Sequence, residues 1–209
     1  MRIFIDREEK VFDFSEDESK NVETILKKIE EFVSKEGKVF TRISVNGEVI
    51  DDENKDRILS LSPEKVEQIL LDTANPRELS IEALEELIEY LPKLKEGTET
   101  VAKLLSVGEY EKGYALFAKV IDGINWFVKL LKTLPPVTGM NYSEINYKDS
   151  NVSSAFSYFE RVMNSLLVAF EKKDDAKIAT LLKDELSPVL DEWIEIAKIL
   201  KDYVEGPIN

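Results

Sequence analysis

The feature that most constrains this chain is a change of apolar period near Asn75-Pro76. Before it, short apolar/polar alternations of strand type dominate; after it, apolar residues recur every three or four positions, the spacing of a helix with one buried face. A single layer of structure does not satisfy both periods. The pattern therefore predicts a mixed unit over residues 1–75 and a helical unit over 76–209. With 209 residues, 43% of them hydrophobic, each unit has enough apolar surface for a core of its own.

In the first unit, Arg2 to Asp6 and Lys10 to Phe14 read as two short strands around the charged Arg7-Glu8-Glu9. Val22, Ile25, Leu26, Ile29, Phe32 and Val33 recur at helical spacing, with Ser19 as the expected N-cap and Gly37 as the stop. Phe40 to Val45 reads as a third strand, and Asn46-Gly47 is a strong hairpin-turn signal before the return strand at Val49-Ile50. A short helical turn around Ile58 to Leu61 leads to a last strand, Val66 to Asp72.

This order of elements resembles the β-grasp topology of ubiquitin-like domains, most closely from Arg42 through Ile50 and again at Val66 to Leu71. The resemblance implies a fold used widely for protein contacts. It does not imply conjugation or sulfur carriage, which need a terminal glycine tail, because this chain runs on through Thr73-Ala74-Asn75-Pro76 into helices. Ferredoxin-type relatives need cysteines, and there are none.

In the second unit, Asn75-Pro76 and Ser80 are alternative helix starts. One stripe runs from Ile81 to Leu105 across Pro92 and Gly97, read as a kinked helix or two stacked pieces. A second runs from Tyr110 to Leu131 and a third from Ala155 to Phe170. A fourth begins behind the cap Asp174 and restarts at Ser187-Pro188. Trp126 and Trp193 both lie on these stripes and are expected in the core. The fold class expected is thus α+β: a small N-terminal β-grasp-like domain followed by an all-α antiparallel four-helix bundle.

The charge balance limits the partners. The net charge is −14, with 12 basic and 19 acidic residues in 1–76 and 16 and 23 in 77–209, so both parts are acidic. An acidic field repels phosphate, and neither nucleic acid nor an anionic membrane is expected as a partner. No apolar run approaches the ~20 residues of a membrane-spanning helix, and the charged N-terminus has no signal-peptide pattern, so a cytoplasmic protein is expected.

Without histidine or cysteine, the remaining catalytic groups are carboxylates, lysine, tyrosine and serine. Acidic pairs at helical spacing, such as Glu82, Glu85, Glu86 and Glu89, are the ordinary surface of an acidic helix. Asp51-Asp52-Glu53-Asn54-Lys55-Asp56 fails the spacing of a calcium loop. No catalytic residue, metal or cofactor is assigned.

Thr133 to Ser154 departs from the pattern, with two prolines, several Tyr and Asn, and only three charges. It reads as the longest structureless segment, and such segments often carry function. Met140, Asn141, Tyr142, Asn146 and Tyr147 are therefore the expected partner-binding residues, since Tyr and Asn give contact area and adaptable hydrogen bonds. The alternative is a crossover packed over the bundle end. The function expected is a non-enzymatic protein-interaction or adaptor module with a protein partner. The broad stripes also suggest a homodimer. The competing expectation is a small-ligand or carboxylate-dependent enzymatic site between the two domains.

Overall fold

The computed structural model describes residues 1–206. The architecture is α+β, with an N-terminal five-stranded sheet followed by helices. The chain divides into two compact units, Met1–Leu79 and Ser80–Asn209.

In the first unit, β1 (Arg2–Ile5) turns into β2 (Glu8–Lys10) through Asp6-Arg7, both with positive φ. Then come α1 (Val22–Lys35), β3 (Val39–Val45), β4 (Glu48–Val49), α2 (Lys55–Leu59), a single 3₁₀ turn at Pro63–Lys65 and β5 (Gln68–Ala74). The sheet order is β2-β1-β5-β3-β4. The central pair β1/β5 is parallel and the other pairs are antiparallel, a β-grasp-like layout. Ile3, Ile5, Val45, Ile69 and Leu71 are buried with Val22, Ile25, Ile29 and Val33 of α1, forming one core between helix and sheet.

Three local expectations are corrected here. The second strand is Glu8–Lys10, not Lys10 to Phe14, because the two-residue turn at Asp6-Arg7 sets Ile5 opposite Glu8. Phe12 and Phe14 instead stack on each other at 5.8 Å, with Phe12 edge-on to Phe32 at 5.4 Å. The α1 cap is Asn21 rather than Ser19: its side chain accepts from the Thr24 N–H while the Thr24 hydroxyl accepts from the Asn21 N–H. The last strand starts at Gln68 rather than Val66, since Asn46 holds the preceding backbone, donating to the Lys65 carbonyl and accepting from the Glu67 N–H.

In the second unit the rods are α3 (Pro76–Ser106), α4 (Tyr110–Thr138), α5 (Val152–Glu171) and a last rod of α6 (Asp175–Leu181), a π-helical turn (Leu182–Leu186) and α7 (Ser187–Glu205). Asp174 caps α6 by accepting from the Lys177 N–H. Pro92 lies inside α3, which is one helix and not two pieces.

Cross-helix contacts establish the directions. Lys95 pairs with Asp191 at 2.6 Å and Lys201 with Glu85 at 2.7 Å, and the Ser187 hydroxyl donates to Glu99 at 2.6 Å, so α3 and α7 are antiparallel. Phe127 meets Phe159 at 5.3 Å while Phe117 meets Phe170 at 6.1 Å, so α4 and α5 are antiparallel too. Phe127, Phe159 and Trp193 form the aromatic centre of the bundle core. No described helix is long and apolar enough to cross a membrane.

The expected structureless segment Thr133 to Ser154 is largely ordered. Helix α4 continues through Pro135 and Pro136 to Thr138 and ends at Gly139, whose φ is +75° and whose N–H donates to the Pro135 carbonyl. Asn151 caps α5, accepting from the Ser154 N–H, and a small hairpin of β6 (Asn146–Tyr147) and β7 (Ser150–Asn151) lies between the helices. Proline at 135 and 136 removes two donors but its fixed φ is helical, so the cost is confined to carbonyls one turn back.

Candidate functional site

The residues expected to contact a partner separate into two groups. Met140 and Tyr147 are buried, at 3% and 8% exposure, and belong to the bundle core. The Tyr147 hydroxyl donates to Glu195 of α7 at 3.0 Å, and Lys148 beside it pairs with Glu192 at 2.7 Å. Tyr142 packs on the same core, and its hydroxyl donates to the Leu131 carbonyl at 2.7 Å. That carbonyl lies four residues before Pro135, the position whose missing N–H would have bonded it. Burial pushes the Tyr142 phenol well above its ordinary range. Asn141 and Asn146 remain on the surface. Asn141 accepts from the Ser143 N–H and hydroxyl and donates to Glu144 at 2.8 Å, a self-contained turn. The segment therefore ties the α4–α5 crossover to the bundle through Met140, Tyr142 and Tyr147, and of the five residues expected to bind a partner only Asn141 and Asn146 are exposed.

A different place offers an open concave surface. Between α3 and α4 lies a cavity of about 420 Å³ lined by Glu86, Tyr90, Lys119, Asp122, Gly123 and Trp126. Glu86 and Tyr90 are one turn apart on α3; Lys119, Asp122, Gly123 and Trp126 follow one face of α4. Tyr90 and Trp126 meet edge to face, 5.3 Å between centroids and 81° between planes, and both remain half-buried. Glycine at 123 makes this possible, because a Cβ there would overlap the Tyr90 hydroxyl and press on Leu94. Trp126 therefore packs against the core with one side and walls the groove with the other, whereas Trp193 is wholly buried in the core.

Among the described residues, Glu86, Lys119 and Asp122 make no ion pair with one another or with any neighbour. The groove thus combines an aromatic corner with two uncommitted carboxylates and one ammonium. Aromatic faces carry negative potential and attract cations within about 6 Å of the ring centre, and carboxylates nearby reinforce the attraction. Sequence reasoning missed this site because it needs two helices brought together. The one local signal was Gly123 within an apolar stripe, where a glycine weakens the helix unless close packing requires it. Among the described residues no cluster of His, Cys, Asp and Glu is arranged to hold a metal ion.

Residues 82–196 match the family described as domain of unknown function DUF8042, which is more than half of the chain. The chain belongs to the DUF8042 family. Residues 1–75 match a second description, the TP0873 N-terminal domain. No curated protein and no solved structure matches the chain. The DUF8042 match contains every groove residue from Glu86 to Trp126, as well as the crossover from Gly139 to Asn151. Both features are thus parts of the DUF8042 portion of the chain rather than additions to it.

Proposed function

We propose that this DUF8042 protein is a non-enzymatic interaction module whose α3–α4 groove receives a basic side chain, arginine or lysine, from a partner protein. The observation that carries this reading is the Tyr90–Trp126 corner flanked by Glu86 and Asp122, neither of them committed to an ion pair. A guanidinium or ammonium placed there gains cation–π attraction and a charge-assisted hydrogen bond together. The net charge of −14 supports the same direction, because it steers basic partners toward the protein. Lys119 at the same groove adds a positive charge that favours a single basic residue flanked by neutral or acidic ones over a run of basic residues.

The test titrates the full chain with short Gly/Ser peptides carrying one central arginine, lysine or alanine, and with a free alkylamine, following the Trp126 indole N–H by NMR. Saturable shifts are expected with the arginine and lysine peptides, with a weaker response to the alkylamine and none to the alanine peptide, and they should vanish in the Glu86→Gln, Asp122→Asn double variant. Equal response to the alanine peptide, or no response to any, would overturn the reading. Equal binding of the alkylamine would replace protein docking with a small organic cation as the ligand.

A further inference from the structure

Asn46 and Gly47 do more than turn β3 into β4. They are the chain's one Asn-Gly pair. In such a pair the backbone nitrogen of glycine can attack the asparagine side chain, because glycine has no side chain of its own to hinder the approach. Both residues are exposed, so solvent base reaches the turn. Burial therefore does not protect this pair.

The hydrogen bonds of Asn46 do. Its Oδ1 accepts from the N–H groups of Glu67 at 2.8 Å and Gln68 at 3.2 Å, and its Nδ2 donates to the Lys65 carbonyl at 2.8 Å. The Asn46 N–H donates to the Gln68 carbonyl at 2.9 Å. Attack by the Gly47 nitrogen requires the Asn46 Cγ to swing away from these side-chain partners. Two N–H groups on one oxygen can also steady a tetrahedral intermediate, which would favour the reaction. The nitrogen decides the matter. It must leave as ammonia and needs a proton, whereas the Lys65 carbonyl facing it is an acceptor with none to give.

We propose that Asn46 is a deamidation site, closed while its side chain bridges to residues 65–68 and opened when that bridge lets go. In the open chain the Gly47 nitrogen loses its proton to hydroxide and bonds to the Asn46 Cγ. The Cγ–Nδ2 bond breaks, and ammonia leaves with a proton taken from water. Water then opens the cyclic imide at either carbonyl, giving aspartate or an isoaspartyl link.

Neither product restores the bridge. Aspartate tolerates the left-handed turn, at φ 52°, as asparagine does, but it sets a carboxylate oxygen against the Lys65 carbonyl where Nδ2 donated. The isoaspartyl link lengthens the backbone inside a two-residue turn and disturbs the register of β3 on β4. The bridge pins the entry to β5, which lies between β1 and β3 and carries Ile69 and Leu71 of the core, so its loss reaches the whole unit.

The test incubates the full chain at mildly alkaline pH, folded and in guanidinium chloride, and follows Asn46 by peptide mapping and mass spectrometry. Electron-transfer fragmentation tells the isoaspartyl form from aspartate. Conversion is expected to be about tenfold or more slower in the folded chain, the factor being set by the free energy of opening. Ile69→Ala, which leaves a gap under β5 without touching the turn, should speed conversion toward the unfolded rate. Asn46→Asp should unfold at a lower urea concentration than the parent at neutral pH. Equal rates in the two states, or faster conversion in the folded chain, would overturn the proposal with no variant needed. So would an Ile69→Ala chain that converts no faster, or an Asn46→Asp chain as stable as the parent, since the bridge would then hold nothing closed.

Discussion

At the scale of single residues, the hydroxyl of Tyr142 has a structural task that its aromatic character conceals. It supplies the donor that Pro135 withholds from the Leu131 carbonyl, at 2.7 Å, beside a leucine with no exposure. A carbonyl left without a partner in such surroundings costs about 1–3 kcal/mol. Tyr142→Phe keeps the ring and removes only the donor, so it should lower bundle stability by about that amount while leaving the circular dichroism unchanged. A variant as stable as the parent in urea unfolding would mean that water reaches the carbonyl instead. Gly123 has the same hidden quality: it is the residue that admits the Tyr90 hydroxyl against α4, and its role is visible only once α3 and α4 are packed together.

At the scale of elements, strand turns and helix caps show how far local chemistry reaches. Asn46-Gly47 is a turn at the expected place, with φ values of 52° and 84°, because those two residues tolerate left-handed backbone. The hairpin between the first two strands forms as expected, but its turn is Asp6-Arg7 rather than Arg7-Glu8-Glu9, because Arg7, at φ 70°, is no left-handed former and pairing of Ile5 with Glu8 in the sheet imposes that conformation. Arg7→Gly should relieve roughly 1 kcal/mol of that strain. Hydrogen exchange of the β1 and β2 amides in the full chain would then slow, and unchanged or faster exchange would show the turn to be unstrained. Both architectures were legible from period alone, as were the Asp174 cap, the Gly37 stop and the stripes of α3, α4 and α5. The crossover was not, because a Pro-Pro pair reads as a breaker unless the lost bonds are seen to fall in the final turn and one to be replaced by Tyr142. The α3–α4 groove left even less trace, since its six residues come from segments about 30 positions apart and only packing assembles them.

For the whole molecule, stability is a balance between a large net charge and many weak ion pairs. Pairs such as Lys27–Glu23 and Lys112–Glu109 are exposed and each contributes about 0–1 kcal/mol at most. The net charge of −14 opposes compaction through the entire chain. At pH 7, raising salt from about 10 mM to about 150 mM shortens the screening length from about 30 Å to about 8 Å, so the melting temperature should rise. A fall would mean that the ion pairs outweigh the self-repulsion. Acid acts in the opposite direction through particular carboxylates. The Lys28 ammonium holds Glu18 down to about 2, with the Ser15 backbone and hydroxyl assisting. The Thr73 hydroxyl, with its N–H and Lys38, holds Asp6 below its ordinary value. Both groups are more acidic folded than unfolded, so the stability they lend is complete above the ordinary carboxylate values of 3.8 and 4.5 and is lost as pH falls through the folded values. The first unit should therefore melt progressively earlier below about pH 4.5, and the decline should be shallower in the Asp6→Asn, Glu18→Gln double variant, which has fewer protons to take up on unfolding. If the two proteins lost stability with the same slope between pH 4.5 and 2, acid would be acting on the rest of the carboxylates and the contacts of Asp6 and Glu18 would carry no weight in the fold.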